Sequence, residues 1–373
     1  MKKWIISKKK YLFLFFIAIA IHWLILFLAF TIQSKTSGST DSFFEFFYKC
    51  YIECGDTPHY LYLAEYGYPT FGENINLIVF FPLYPLLIKL LSFIVQDYFI
   101  SGIIISNICM GISVCLLYYL AKLELGEESK AVDSVYAYLL YPFSVFLIGV
   151  FTESLFIMLS LLCLIFIKKK KWLLVGITGL LCALTRMQGV VFIASALYVI
   201  ITTIIKEKKF DKRYLYVFIT LLGFVIYLIL NKAITGDFFS FLHYQKIEPW
   251  YNYPNWITAN LTQHYEMAFE HPGLSYIIYW AQLILFFISI LLLFFGLKRK
   301  VSKYLIVYGV GYLAVTYLQG WMISGPRYVL SCVPLYIIFA TIKNQYLKNI
   351  LLVMLGILTM FYTLCFLAGH AIM

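Results

Sequence analysis

The carboxylate of Asp56 has the most telling surroundings in this chain. It stands in Gly55-Asp56-Thr57-Pro58-His59-Tyr60-Leu61, within a polar, acid-bearing stretch (residues 33–97) that follows a long apolar run. A carboxylate within hydrogen-bond reach of a hydroxyl can take its proton as that hydroxyl attacks. A second acid, Glu153, lies in Phe151-Thr152-Glu153-Ser154-Leu155-Phe156, at the mouth of another apolar run. Arg186, in Thr185-Arg186-Met187-Gln188-Gly189, and Arg327, in Gly325-Pro326-Arg327-Tyr328, are two of only four arginines in a lysine-rich chain. A guanidinium grips phosphate oxygens with a planar fork where lysine offers a point charge. The remaining polar candidates are His59 and Tyr60, Asp237 in Thr235-Gly236-Asp237-Phe238-Phe239, and His243-Tyr244-Gln245. Taken singly, each has a plainer reading: a solvated loop acid, a loop polar residue, or an arginine snorkelling to a membrane surface.

The elements that must position these residues are membrane spans. The chain is 62% hydrophobic and 13% charged, with a mean hydropathy of +0.86, whereas soluble domains carry about 25% charge. The fold class expected is therefore an all-α polytopic membrane protein forming one integral domain over residues 1–373. A net charge of +11 would suggest nucleic acid in a soluble protein, but here the basic residues sit in short runs between apolar segments. That placement follows the positive-inside bias and excludes nucleic acid as a partner. The apolar stretch from Tyr11 to Ile32, preceded by lysines, is too long for a signal-peptide core and reads as an uncleaved anchor with a cytoplasmic N-terminus. Eleven spans are expected, at 11–32, 98–121, 131–149, 153–167, 172–187, 189–205, 214–232, 273–296, 304–321, 328–342 and 349–368.

This topology keeps most of the 29 lysines and arginines on the cytoplasmic side. The exceptions are Lys35, Lys49, Lys89, Arg186, Lys232, Lys246 and Arg327. It leaves two large extracytoplasmic loops, 33–97 and 233–272, and places Asp56, Glu153, Arg186 and Arg327 on one face of a plasma-membrane protein. Residues 77–95 are apolar enough to cross, but a crossing there would put the lysine run at 168–171 outside, and Pro82 and Pro85 spoil a helix. The segment is expected to lie on the outer leaflet. A tight turn near Thr185-Arg186-Met187-Gln188-Gly189 is expected because one helix over 172–205 would run ~51 Å, against a core of ~30 Å.

Six of the eight cysteines fall in apolar spans as small packing residues. Cys50 and Cys54 lie in the first outer loop, where a disulfide is one option; a metal pair lacks further ligands. No metal or other cofactor is required, although a divalent ion bridging Asp56 to a phosphate stays open. His22 lies inside the first span with no assignable partner. Asn260-Leu261-Thr262 matches a glycosylation sequon. No internal repeat is evident, which argues against the common transporter architectures.

At these residues the chain resembles the PIG-V type of polyprenyl-phosphate-mannose-dependent mannosyltransferases, which add the second mannose of glycosylphosphatidylinositol anchors and have prokaryotic relatives. The family pattern runs Trp-Asp-x-x-x-Tyr-Leu-x-Ile-Ala-x-x-Gly-Tyr, then Phe-Phe-Pro-x-x-Pro, a Thr/Ser-Glu-Ser-Leu-Phe turn, a Thr-Arg-x-x-Gly turn, a Gly-Asp…Gln stretch and a late Arg. The matching residues run in that order from Asp56, through Phe80-Phe81-Pro82-Leu83-Tyr84-Pro85, Glu153, Arg186, Asp237 and Gln245, to Arg327. Two positions depart: Gly55 stands where the family has Trp, and Leu63 where it has Ile.

The resemblance implies a GT-C glycosyltransferase fold and inverting transfer of a hexose, most simply mannose, from a polyprenyl phosphate to an acceptor hydroxyl at the extracytoplasmic face. Asp56 would be the general base. His59, Tyr60, Glu153, Arg186, Asp237, Gln245 and Arg327 would bind substrate, with the two arginines facing the phosphate. The acceptor would be a membrane lipid or surface glycan. Two other classes compete. A transporter or flippase of lipid-linked sugars would need polar groups at mid-bilayer, and few are present. A non-enzymatic assembly protein would use the outer loops for docking alone.

Overall fold

The computed structural model describes residues 2–38, 40–271, 273–299, 301–319, 324–370 and 372. Met1, Lys300 and residues 320–321, the last two at the end of an expected span, lie outside them. So do the side chains of residues 2–8 and 274–277.

The described chain is all-helical, with one isolated bridge between Pro254 and Gln319. Six of its helical stretches are long and apolar enough to cross a membrane: Lys9–Ser37, Tyr98–Leu125, Met187–Glu207, Lys212–Thr235, Ile278–Lys298 and Gln345–Leu367. The chain begins with α1 (Lys2–Ser37), followed by two short helices, α2 (Phe43–Ile52) and α3 (Thr57–Tyr66). A capping box starts α2: Glu45 N donates to Ser42 Oγ, and Glu45 Oε2 accepts from Ser42 N at 2.9 Å.

The expected 77–95 segment is not one helix. A 3-10 stretch, Glu73–Val79, meets α4 (Leu83–Val95) at an angle of 107°, giving a seventh span only if the bent pair is counted as one. The bend falls at Phe80-Phe81-Pro82, where Pro82 disfavours a helical residue before it. Tyr68 and Tyr227 hold it by donating to Phe80 O and Ile78 O, each at 2.7 Å.

The middle of the chain is a packed bundle. α5 (Tyr98–Leu125) is capped by Asp97, whose Oδ1 accepts from Ile100 N at 2.7 Å, and stops at left-handed Gly126. α6 (Glu128–Leu139), α7 (Glu153–Lys168) and α8 (Trp172–Ala183) follow. Then come α9 (Phe192–Glu207) and α10 (Ile219–Thr235), each preceded by a 3-10 turn. Helix α8 meets α10 and the 3-10 turn before it backbone to backbone. A Cβ added at Gly176 would sit 2.2 Å from Tyr216 O, and one at Gly223 2.4 Å from Leu180 O. Small residues allow this approach where lipid gives no hydrophobic drive for helices to associate.

The last third holds α11 (Ser240–Lys246), α12 (Ile257–Glu270), α13 (Leu274–Lys298), α14 (Lys303–Tyr317), α15 (Gly325–Val329), α16 (Pro334–Phe339) and α17 (Gln345–Leu367). Two expected spans are interrupted. The 131–149 stretch breaks after Leu139, ahead of Pro142, and resumes as a 3-10 turn at Ser144–Leu147. The 328–342 stretch is split between α15 and α16, with Pro334 starting the second piece. Most residues around both breaks are buried in protein, where irregular backbone is tolerated at membrane depth. Spans 153–167, 172–187 and 304–321 correspond to the shorter helices α7, α8 and α14.

Ionic contacts mark one end of the bundle. Lys10 pairs with Glu128, Lys122 with Glu128 at 3.4 Å, Lys168 with buried Glu124 at 2.9 Å, and Lys170 with Glu207 at 3.6 Å. The lysine-rich segments assigned to a common side thus meet. Asp56, Glu153, Arg186 and Arg327 gather elsewhere, at the opposite ends of α7 and α8.

Candidate active site

The connection from α2 to α3 is built to present Asp56. Gly55 turns the backbone with φ +53°, a left-handed conformation that costs other L-residues about 1–2 kcal/mol. Pro58 sits in the first turn of α3, where its missing N–H costs nothing. Thr57 is fully buried, and its hydroxyl donates to Val150 O at 3.4 Å, pinning the helix start to the segment before α7. Asp56 occupies the N-cap position, yet its side chain caps nothing. An N-cap carboxylate usually accepts from the first turn's N–H groups; this one instead accepts from Arg327 Nη2 at 2.6 Å.

Glu153 starts α7, and its side chain is fully buried. Its carboxylate accepts from Arg186 Nη2 and Arg327 Nε, and from Arg327 Nη2 at 3.4 Å. One buried acid thus clamps both arginines, and Arg327 bridges it to Asp56. Arg186 Nε donates to Thr152 Oγ1 at 2.7 Å, while its Nη1 has no hydrogen-bond partner among the described residues. Ring faces support both guanidinium groups: Tyr328 lies 5.0 Å from Arg186, and Phe151 lies 4.7 Å from Arg327.

Arg186 reaches this position through the expected tight turn. Thr185 N and Arg186 N both donate to Cys182 O at 3.0 Å, and Gly189 N donates to Arg186 O at 2.9 Å. The chain then folds back onto the end of α8 so closely that a Cβ at Gly189 would lie 2.3 Å from Ala183 N. The nearest atoms are all backbone of Cys182 and Ala183, with no flexible side chain to yield. Gly189→Ala is expected to displace the Arg186 turn, to destabilise the protein by about 1–3 kcal/mol as overpacking does, and to lower activity. Thermal unfolding of the purified protein in detergent, alongside an activity assay, checks this; a variant with wild-type stability and turnover would refute it. Arg327 is fixed from the other side. Tyr141 donates to Pro326 O at 2.7 Å, and Tyr312 to Tyr328 O at 2.9 Å.

These groups line a cavity of about 460 Å³, within the ~300–1,000 Å³ range of small-ligand sites. Of the residues expected at the site, Asp56, Tyr60, Arg186, Gln245 and Arg327 line it. Glu153 lies behind the arginines. His59 packs beside the cavity, its ring 5.2 Å from those of Phe80 and Trp250; burial lowers its pKa, with Asp56 opposing. Asp237 is exposed and does not line the cavity; it accepts from Phe239 N at 3.1 Å, shaping the turn into α11. Residues not singled out from sequence also line it: Trp250, Asn252 and Gln319, together with Thr152 and Gln188 from named motifs. Trp250 and Asn252 come from irregular backbone after α11, where no periodicity marks a residue as inward-facing.

Cys50 and Cys54 are free thiols, and burial pushes each up to about 11, which disfavours the reactive thiolate. Asn260 of the sequon is fully buried, with Nδ2 donating to Tyr317 O at 3.2 Å, so the folded site is closed to a glycan. Among the described residues, no cluster of three or more His, Cys, Asp or Glu is arranged to hold a metal.

Residues 81–230 match the family model of dolichyl-phosphate-mannose-protein mannosyltransferases. The match takes in the Phe81-Pro82 bend, Glu153 and Arg186, and covers somewhat under half of the chain. Over that stretch the chain is similar to membrane mannosyltransferases. No curated protein and no solved structure matches the chain.

Proposed function

We propose that this glycosyltransferase, related over residues 81–230 to the dolichyl-phosphate-mannose-protein mannosyltransferases, moves mannose from a polyprenyl phosphate to an acceptor hydroxyl with inversion at the anomeric carbon. The observation that carries the reading is the convergence of Asp56, Arg186 and Arg327 on one cavity wall, with buried Glu153 holding both guanidinium groups. The ordered motifs from Asp56 to Arg327 favour the PIG-V type within the wider family. In this reading the short buried helices also cross, keeping the eleven-span topology, and the lysine-rich end is cytoplasmic. The cavity then opens at the extracytoplasmic face, with the bent 77–95 segment beside it to receive the prenyl chain. The acceptor is a membrane lipid or surface glycan.

The charges suit such a transfer. Two carboxylates and two guanidinium groups leave the cluster neutral at rest. As the acceptor hydroxyl attacks C1, its proton passes to Asp56 and the C1–O bond to phosphate breaks. The phosphate gains a negative charge as Asp56 loses one. Arg327, then facing a neutral acid, turns its fork to the departing phosphate, and Arg186 Nη1 supplies a further donor. A prenyl phosphate leaves as a stable anion, so no general acid is needed.

Incubating the purified protein with polyprenyl-phosphate-mannose and membrane lipids tests the proposal. A new mannoside of inverted configuration is expected; movement of intact donor across a proteoliposome without transfer would instead favour the transporter. Arg186→Lys should raise KM for the donor by about tenfold, because lysine cannot hold Glu153 and Thr152 and still aim a donor where Nη1 stands, and a charge-assisted bond is worth ~1.5–3 kcal/mol. An unchanged KM would remove Arg186 from the phosphate site.

A further inference from the structure

The cavity is lined by two chemically different sets of residues. One is ionic, built from Asp56, Arg186 and Arg327. The other set, among the described lining residues, carries no charge: Gln188, Gln245, Asn252 and Gln319 contribute four carboxamides, together with the Trp250 ring. Gln188 is only 3% exposed, yet it lines the cavity. Asn252 Nδ2 donates to Gln319 Oε1 at 3.1 Å, which leaves Asn252 Oδ1 and Gln319 Nε2, an acceptor and a donor, available to a ligand. Two backbone contacts help fix this set. Asn252 N donates to Gln245 O at 2.6 Å, and Asn255 N to Leu318 O at 3.0 Å.

A carboxamide offers two donors and an acceptor, which suits hydroxyls that both donate and accept. An indole face suits the C–H side of a sugar ring. Charged groups fit these residues badly. An ammonium would be desolvated beside amides, with Asp56 already held by Arg327. A carboxylate would be drawn to the arginines and compete with phosphate there. We infer that Gln188, Gln245, Asn252, Gln319 and Trp250 form the sugar subsite and select an uncharged hexose over an aminosugar or a uronate. This rests on the lipid-phosphate reading above and adds to it the residues that hold the donor's sugar.

The test is donor binding to the full-length protein in nanodiscs, with four probes: bare polyprenyl phosphate, and the same lipid carrying mannose, a free-amine hexosamine or a hexuronate. The mannosyl lipid should bind about tenfold tighter than either charged-sugar lipid, the worth of one or two hydrogen bonds. Gln245→Leu should weaken the mannosyl lipid several-fold and leave bare polyprenyl phosphate within about twofold. Gln245→Glu should narrow the gap between mannose and hexosamine. Equal affinity for neutral and charged sugars would overturn the inference, as would a Gln245→Leu loss shared equally by the bare lipid. Failure of the wild type to bind bare polyprenyl phosphate would overturn the lipid-phosphate reading itself, and this subsite with it.

Discussion

Asp56→Asn is expected to reduce turnover by roughly 10²–10⁴-fold, the range over which a positioned general base contributes, while the protein stays folded. The geometry predicts the second half as firmly as the first. The Asp56 side chain caps no N–H of α3, so its charge can be lost without loosening the helix. An asparagine keeps an oxygen facing Arg327 Nη2, now 2.6 Å from the carboxylate. Donor affinity should therefore hold or rise, because Arg327 no longer divides itself between Asp56 and phosphate. A fall in kcat with KM unchanged or lowered is the signature of a group that acts only as reaction proceeds. Near-normal kcat would sink the assignment of Asp56 as base. A matched loss of kcat and of folded protein would show that Asp56 serves structure instead.

The sequence carried the ingredients of this site better than their arrangement. Arg186 and Arg327 stood out because rare arginines placed against the positive-inside bias need a reason, and Asp56 because of its motif in the first large loop. The role of Glu153 did not show. Its partners lie 33 and 174 positions away, and nothing local distinguishes a bridging acid from a polar residue starting a helix. Gly55 departs from the resembled PIG-V pattern, which has Trp there. Its φ of +53° shows a backbone requirement that glycine meets at least cost, and Phe80 and Trp250 supply aromatic wall instead. Asp237 had the right motif but serves a turn. Hydropathy overran the helices at Pro142 and Pro334, since a window average sees apolar content and misses a broken backbone ladder. It served best for α1, α5, α13 and α17, where long apolar runs carry no internal proline.

Glu153→Gln is the second large effect, and it separates stability from chemistry. Glu153 is fully buried and is the contact shared by two guanidinium groups that are themselves almost wholly buried. Removing one partner of a buried ion pair costs about 3–5 kcal/mol, because the remaining charge stays desolvated and uncompensated. Glutamine keeps one oxygen acceptor but loses the charge, and its NH₂ group points donors at donors. A substantial drop in thermal stability in detergent, with loss of transfer, is expected. Adding Arg186→Met to Glu153→Gln removes one uncompensated cation and lets Arg327 keep its Asp56 partner. Stability should partly return in the double variant, whereas transfer should not, since the phosphate fork is gone. Recovery of both would mean that Glu153 and Arg186 are a structural pair and that phosphate is held elsewhere. Recovery of neither would mean that the Arg186 turn depends on contacts other than this carboxylate. Stability recovered without activity is the outcome that ties the buried acid to the positioning of the arginines.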